Sequence, residues 1–169
     1  MDVQVRPVRV SDLQSFFRIH ADPRANAHSP AEAMRDLTQA RDMLEVFVRA
    51  WREDGICYWA VTAEDDDEPI GFAGLRLKVV NGTEHFNLYY RLAPHYWGRG
   101  IGREIAGRAV ALAHERWPDR PVIARMRDSN IPAQRVAKAV GLKRAGFDSR
   151  GRILFADRPL YPSFLEQLP

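Results

Sequence analysis

The sequence predicts a mixed α/β fold, a sheet flanked by helices, with the element order βααβββαβαββ. Three observations carry that expectation. Short runs rich in valine, isoleucine and aromatic residues are bounded by turn signals, among them Asn81-Gly82. Between these runs lie segments whose apolar residues recur at helical spacing. A strand-like run also enters the glycines at 98, 100 and 102, after which a helical pattern begins. At 169 residues the chain is expected to form one domain, residues 1–169.

Each element has its own local signal. Val3, Val5 and then Val8 alternate with polar residues and give the first strand. Ser11 can cap a short helix with Leu13, Phe16, Phe17 and His20 on one face. Residues 22–29 read as a loop. Ser29-Pro30-Ala31-Glu32 has the form of a capping box with proline at the first helical position. The stripe Met34, Leu37, Leu44, Phe47, Val48 and Trp51 predicts that the second helix continues to Asp54, with Gly55 to stop it. Strands follow at 56–63, 70–80 and 83–92, the last two joined at Asn81-Gly82. A helix is expected over 103–117, a strand over 122–126 and a helix over 132–140. A final hairpin spans 142–148 and 153–158, turning at Arg150-Gly151.

Composition removes several function classes. Hydrophobic residues at 46% and charged residues at 28% fit a globular protein and argue against disorder. Cys57 is the single cysteine, which excludes an intramolecular disulfide framework and a Cys-rich zinc site. His114-Glu115 lacks the second histidine of a zinc-protease helix. No apolar run approaches the ~18 residues that span a membrane. The opening MDVQVRPVRV lacks a signal peptide's apolar core. A cytoplasmic protein with no membrane partner is therefore expected.

The net charge of +3 hides an asymmetry. Residues 1–90 carry 10 Lys+Arg against 15 Asp+Glu, a balance of −5, while residues 91–158 carry 15 against 6, a balance of +9. An anionic partner is expected on the basic part. The basic residues are scattered without a polybasic run, which argues against nucleic acid. Asp65-Asp66-Asp67-Glu68 reads as a solvated turn that could attract a basic peptide, and Cys57 as a small buried hydrophobe. Phe47, Trp51, Tyr58 and Trp59 read as core or pocket wall.

The run from Leu88 to Arg103 carries the chemistry. Glycines let a backbone approach a ligand closely, and a helix N-terminus adds partial positive charge, so the site suits a phosphate. Arg99 and Arg103 add full charges. A P-loop needs Gly-x4-Gly-Lys-Ser/Thr, a string this sequence does not contain. A dinucleotide fingerprint starting at Gly98 needs glycine at the position of Arg103. A nucleotide-binding oxidoreductase is thus the weaker alternative, and a tight turn without a ligand also stays open.

Trp97-Gly98-Arg99-Gly100-Ile101-Gly102 resembles the pyrophosphate loop of the GNAT family of acyl-CoA-dependent N-acetyltransferases, Gln/Arg-x-x-Gly-x-Gly/Ala. Trp97 departs from that pattern at its first position. The string from Pro94 to Gly100 is similar to the branch that acetylates ribosomal-protein N-termini, the RimJ/RimL type. Asn130 to Leu142 is similar to that branch's Asn-x-x-Ser-x-Arg-Val-x-x-Lys-x-Gly-Phe. The likeness in element order covers nearly the whole chain; close motif similarity covers about residues 86–103 and 130–142.

The resemblance implies a GNAT-like, mostly antiparallel sheet and transfer of an acetyl group from acetyl-CoA to a primary amine, either a protein N-terminus or a small amine. It implies that the backbone of Leu92 and Ala93 pairs with the pantetheine arm. The N–H groups of Gly98, Arg99, Gly100, Ile101, Gly102 and Arg103 would hold the pyrophosphate. Asn130 would hydrogen-bond the cofactor, although it could equally be a helix cap. A backbone N–H near Tyr90 to Leu92 is the candidate oxyanion donor. Many relatives carry Glu near the position of Asn87, which cannot take a proton. Glu84 or His85 could act as base, directly or through water, or both could be exposed hairpin residues. Where relatives place Ser or Tyr for the leaving thiolate, this chain has Ala133 and Ala137, so Tyr90 or Tyr96 could substitute. The segment from Ala21 to Ser29 and the following helix would line the acceptor side. The family also suggests a homodimer. The rival within the same fold is a non-catalytic acyl-CoA sensor or scaffold that has lost catalytic groups at 87, 133 and 137.

Overall fold

A computed structural model describes residues 2–80, 82–161, 164 and 168. The elements follow the expected order: β1 (Val3–Pro7), α1 (Leu13–Ala21), α2 (Leu37–Glu53), β2 (Tyr58–Ala63), β3 (Pro69–Val80), β4 (Thr83–Leu92), α3 (Ile101–Arg116), β5 (Val122–Met126), α4 (Ile131–Ala139), β6 (Lys143–Phe147) and β7 (Ile153–Ala156). The strand order is β1-β2-β3-β4-β5-β7-β6. Pairing is antiparallel for β1–β2, β2–β3, β5–β7 and β6–β7, and parallel for β4–β5. Asn81 of the expected hairpin turn lies outside the described residues, and Gly82 takes φ +78°.

The chain divides into two compact units, Met1–Gly74 with Tyr89–Gly102, and Leu75–Leu88 with Arg103–Pro169. In the first unit α1 and α2 bury Phe16, Ile19, Leu44 and Phe47 with Tyr58 and Phe72 of the sheet. Phe16 packs edge-on to Phe47 and Phe72, with centroids 5.7 and 4.9 Å apart. Each fully buried apolar side chain of this size stabilises by about 1.5–3 kcal/mol. Cys57 is completely buried among them, as its reading as a small hydrophobe expects.

Two helix starts differ from the sequence reading. Pro30–Glu32 forms only a short 3-10 turn, and Ser29 makes no side-chain cap. α2 instead begins at Leu37, where the Asp36 carboxylate accepts from the Gln39 N–H at 2.8 Å. Gln39 Oε1 returns the favour by accepting from the Arg35 N–H at 3.0 Å. This reciprocal cap satisfies orphan donors on both sides of the helix start, which Ser29 does not. Leu37, assigned to the buried stripe, is consequently exposed, whereas Met34 is buried from the preceding loop. Ser11 sits inside a 3-10 turn, and it is Asp12 that receives the Arg9 N–H at 2.7 Å and pairs with Arg6.

In the second unit the sheet is built on β5. Phe86 to Leu88 run parallel to Val122 to Ala124, and β7 pairs antiparallel on the other side. α3 buries Ile105, Ala106, Ala109, Val110 and Ala113. A second apolar cluster joins Ile123, Leu154 and Ala156 with Phe164 and Leu168. Among the described residues no helix is long and apolar enough to cross a membrane.

Candidate active site

The last residues of β4 alternate between two faces, as a strand must. Tyr90 turns towards the start of α3: its ring edge lies 3.2 Å from where a side chain on Gly102 would begin. Glycine at 102 thus lets the helix start lie close against the Tyr90 ring, which a side chain there would press upon. Burial pushes the Tyr90 phenol up to about 12, so it is protonated at neutral pH.

Past Leu92 the chain is tied back to the sheet. The Ala93 N–H donates to the Ile70 carbonyl at 2.8 Å, and the Trp97 indole N–H donates to the Leu92 carbonyl at 2.9 Å. The Ala93 carbonyl accepts from the Tyr96 N–H at 2.9 Å. The Ala93 amide is therefore committed internally. The Leu92 and Ala93 carbonyls each keep a second lone pair for a ligand N–H.

Gly98 and Gly100 take φ +73° and +80°, the left-handed region that only glycine adopts at no steric cost. Nothing lies within 4 Å of where their side chains would start. The loop is thus an open backbone surface leading into α3 at Ile101. The first N–H groups of that helix have no carbonyl of their own turn to bond. The Arg99 guanidinium rests 5.6 Å from the Tyr96 ring centroid.

Tyr89 and Arg91 occupy the opposite face of β4 and form a network that the sequence reading missed. The Tyr89 hydroxyl lies 2.8 Å from His20 Nε2, and His20 Nδ1 lies 2.8 Å from the Phe16 carbonyl. A carbonyl only accepts, so Nδ1 carries the proton and Tyr89 donates to Nε2. Burial, then the Arg91 charge, lowers the His20 pKa to about 3. Burial likewise raises the Tyr89 phenol. Arg91 Nη1 donates to Asn26 Oδ1 at 2.7 Å, and Asn26 Nδ2 donates to the carbonyls of His20 and Asp22, both at 2.8 Å. The legible signal was polar residues at β4 positions 89 and 91, facing a histidine on an otherwise apolar helix side.

The remaining candidates belong to the second unit. Glu84 is ion-paired to Arg120 at 2.6 Å. His85 is not an exposed hairpin residue: it is fully buried, with Nε2 3.1 Å from an Arg125 nitrogen and its ring edge-on to Phe164. Burial first, then Arg125 and Lys78, lowers its pKa to about 4. Asn87 is half-buried and opposite Ile123 of β5. Asn130 caps α4, its Oδ1 accepting from the Ala133 N–H at 3.1 Å, which leaves its amide NH₂ available to donate. Ala133 is half-buried and Ala137 buried in α4. Arg103 lies on the first turn of α3. The acidic turn at 65–68 is exposed as expected, but Asp67 is paired with Arg6 and Arg9, and Glu68 with Arg18.

Comparison with known proteins gives the family and the fold. The model of the GNAT acetyltransferase domain matches residues 2–143 and runs through both units. An uncharacterised N-acetyltransferase, p20 of Bacillus licheniformis, is 18% identical over 155 residues, covering 89% of this chain and 86% of that protein. The ribosomal-protein-S5-alanine acetyltransferase of Vibrio fischeri superposes with a TM-score of 0.73 at 18% identity, covering 100% of this chain and 97% of that one. The aminoglycoside acetyltransferase AAC(6')-Ib, solved with ribostamycin and coenzyme A, gives 0.73 at 16% identity over 92% of each chain. A glycine-lined strand-to-helix passage, the predicted element order and a family match over most of the sequence converge: the chain belongs to the GNAT family of acetyltransferases.

Proposed function

We propose that this acetyltransferase moves an acetyl group from acetyl-CoA to a primary amine, a protein N-terminus or a small amine. The passage from Leu92 through Gly98 and Gly100 into α3 carries the reading. It presents backbone N–H groups and helix-end charge on an open surface, with Arg99 and Arg103 beside them, which suits a pyrophosphate. Coenzyme A in structurally similar acetyltransferases supports the same cosubstrate here. The Leu92 and Ala93 carbonyls would accept from the pantetheine amides, and the Asn130 NH₂ would donate to the cofactor.

In the reaction the neutral amine nitrogen attacks the thioester carbon. A C–N bond forms, the C–S bond breaks, and the proton lost by nitrogen balances the departing thiolate as CoA–SH. A backbone N–H at Tyr90 to Leu92 would stabilise the oxyanion, an effect worth about 2.7–4 kcal/mol where measured. A phenol at about 12 is roughly 3–4 units weaker than a thiol, so Tyr90 serves the sulfur as a hydrogen-bond donor rather than by giving up its proton. Asn87 can hydrogen-bond but not accept a proton. Glu84, ion-paired to Arg120 through one carboxylate oxygen, is the candidate to receive the amine's proton through water.

Thermal unfolding with CoA, acetyl-CoA, NAD and ATP in parallel tests the reading. A ligand at 100 times its Kd stabilises the fold by about 2.7 kcal/mol. A shift with CoA and acetyl-CoA alone, lost in Gly100→Val and weakened in Arg99→Gln, is expected. No shift with millimolar CoA would remove the reading, and a shift with NAD would favour a dinucleotide enzyme.

A further inference from the structure

Arg91 combines partial burial with a neutral partner, whereas Arg35, Arg41, Arg49, Arg52 and Arg99 of the first unit are exposed. Arg6, Arg9, Arg18 and Arg24 each lie against a carboxylate. Arg91 is half-buried and forms no ion pair among the described residues; its partner is the neutral Oδ1 of Asn26. Asn26 is itself 2% exposed, and its Nδ2 is committed to two carbonyls. That clamp fixes Oδ1, and with it one edge of the guanidinium. The guanidinium carbon lies 6.0 Å from the Tyr89 ring centroid, and the ring is held through its hydroxyl by His20.

A guanidinium has five N–H donors, and the clamp occupies one nitrogen. Withdrawing a cation from water without a counter-charge is costly. A half-buried cation that is immobilised by a neutral partner is preorganised for an anion the chain does not supply. The location is informative. Arg91 directly precedes Leu92, whose carbonyl is assigned to the pantetheine arm, and Asn26 lies in the segment assigned to the acceptor.

We infer that Arg91 is a specificity-determining residue that receives a carboxylate of the acceptor. The acceptors are then amines carrying a carboxylate close to the nitrogen, of which α-amino acids are the simplest. The inference rests on the acetyl-transfer reading above, and the product would be the N-acetyl amino acid with CoA–SH.

Calorimetric titration of the full chain tests it in two stages. CoA is titrated first. The CoA-loaded protein is then titrated with N-acetyl-α-amino acids spanning the protein side chains, and with matched N-alkylacetamides that lack the carboxylate. At least one N-acetyl amino acid should bind about 10-fold more tightly than its carboxylate-free counterpart, the scale of one charge-assisted bidentate contact. Arg91→Gln should abolish that preference and Arg91→Lys retain part of it, with CoA affinity unchanged in both. Absence of binding by every N-acetyl amino acid, indifference to the carboxylate, or a preference that survives Arg91→Gln would each overturn the inference. Should Arg91→Gln fail to fold, the wild-type comparison together with Arg91→Lys decides. Failure of CoA itself to bind would instead overturn the acetyl-transfer reading beneath it.

Discussion

The hydroxyl of Tyr89 and Nε2 of His20 are 2.8 Å apart, and the Phe16 carbonyl on the other ring nitrogen leaves only one direction for the proton between them. Tyr89→Phe removes the donor and leaves a buried imidazole nitrogen without a partner. We expect a loss of about 1–3 kcal/mol, measured by urea unfolding. Pairing it with His20→Leu should cost less than the two single changes summed, because the orphaned acceptor is then gone.

Acid should destabilise the fold in a defined window. His20 and His85 are both depressed below 6.5, to about 3 and about 4. As pH falls the unfolded chain takes up protons that the folded chain refuses. Stability is therefore full above about 6.5 and declines towards 4, by up to about 1.4 kcal/mol per pH unit for each histidine. Carboxylates held below their ordinary range by hydrogen bonds, such as Glu68 and Asp67, add their losses only at lower pH. Unfolding midpoints between pH 7 and 5 should flatten in His85→Gln; an unchanged slope would contradict the buried neutral ring.

Gly71 has no room for a side chain. A methyl there would overlap the Leu92 side chain and come within 2.8 Å of the Arg91 carbonyl oxygen. Its backbone is not left-handed, so the effect of Gly71→Ala is purely steric. A loss of about 1–3 kcal/mol is expected. Because the clash falls on the end of β4, CoA affinity should fall with it, which a titration of the folded variant would show.

Tyr90 and Gly102 separate packing from chemistry. Gly102→Ala presses on the Tyr90 ring at 3.2 Å and should weaken CoA binding while changing Tm by only a few degrees. Tyr90→Phe keeps the ring and removes the proposed donor to sulfur. It should leave CoA affinity intact and lower kcat about 10-fold, near 1.4 kcal/mol, the scale of one hydrogen bond to a charged group. Equal loss in both quantities would remove the assigned role.

Asp157 organises the start of β5. Its carboxylate is almost fully buried, and accepts from the Val122 N–H at 2.9 Å while contacting Arg158 and His114 at 2.9 Å. Burial alone would raise its pKa, but the hydrogen bonds from Arg158, Val122 and His114 together bring it below the ordinary carboxylate range. Asp157→Asn keeps the shape and removes the charge. A cost of about 1–3 kcal/mol at pH 7, shrinking under acid, is expected from denaturant titrations at both conditions.

The element order was legible because each strand and helix has a period of its own. Boundaries were less so where two capping signals compete. Ser29-Pro30 matches a helix-start pattern, yet Asp36 and Gln39 make the reciprocal bonds, and only the folded chain shows which pair wins. The glycine loop was readable because positive φ leaves a mark in sequence. The His20, Asn26, Tyr89 and Arg91 network left only a partial mark, polar residues at 89 and 91 and a histidine on an apolar helix side, because its members lie far apart along the chain. His85 illustrates the opposite error: a polar residue beside a hairpin looks exposed until Arg125 and Phe164 arrive from elsewhere in the chain.

The bond from the Trp97 indole to the Leu92 carbonyl gives the loop an optical handle. Of the four tryptophans, Trp97 alone is exposed, at 48%, while Trp59 is buried and Trp51 and Trp117 are partly covered. Selective quenching by a neutral collider such as acrylamide therefore samples the lip of the glycine passage more than any other place on the molecule. If coenzyme A binds there as proposed, the quenchable part of the emission would report its arrival and departure in real time, with no label attached and no turnover required.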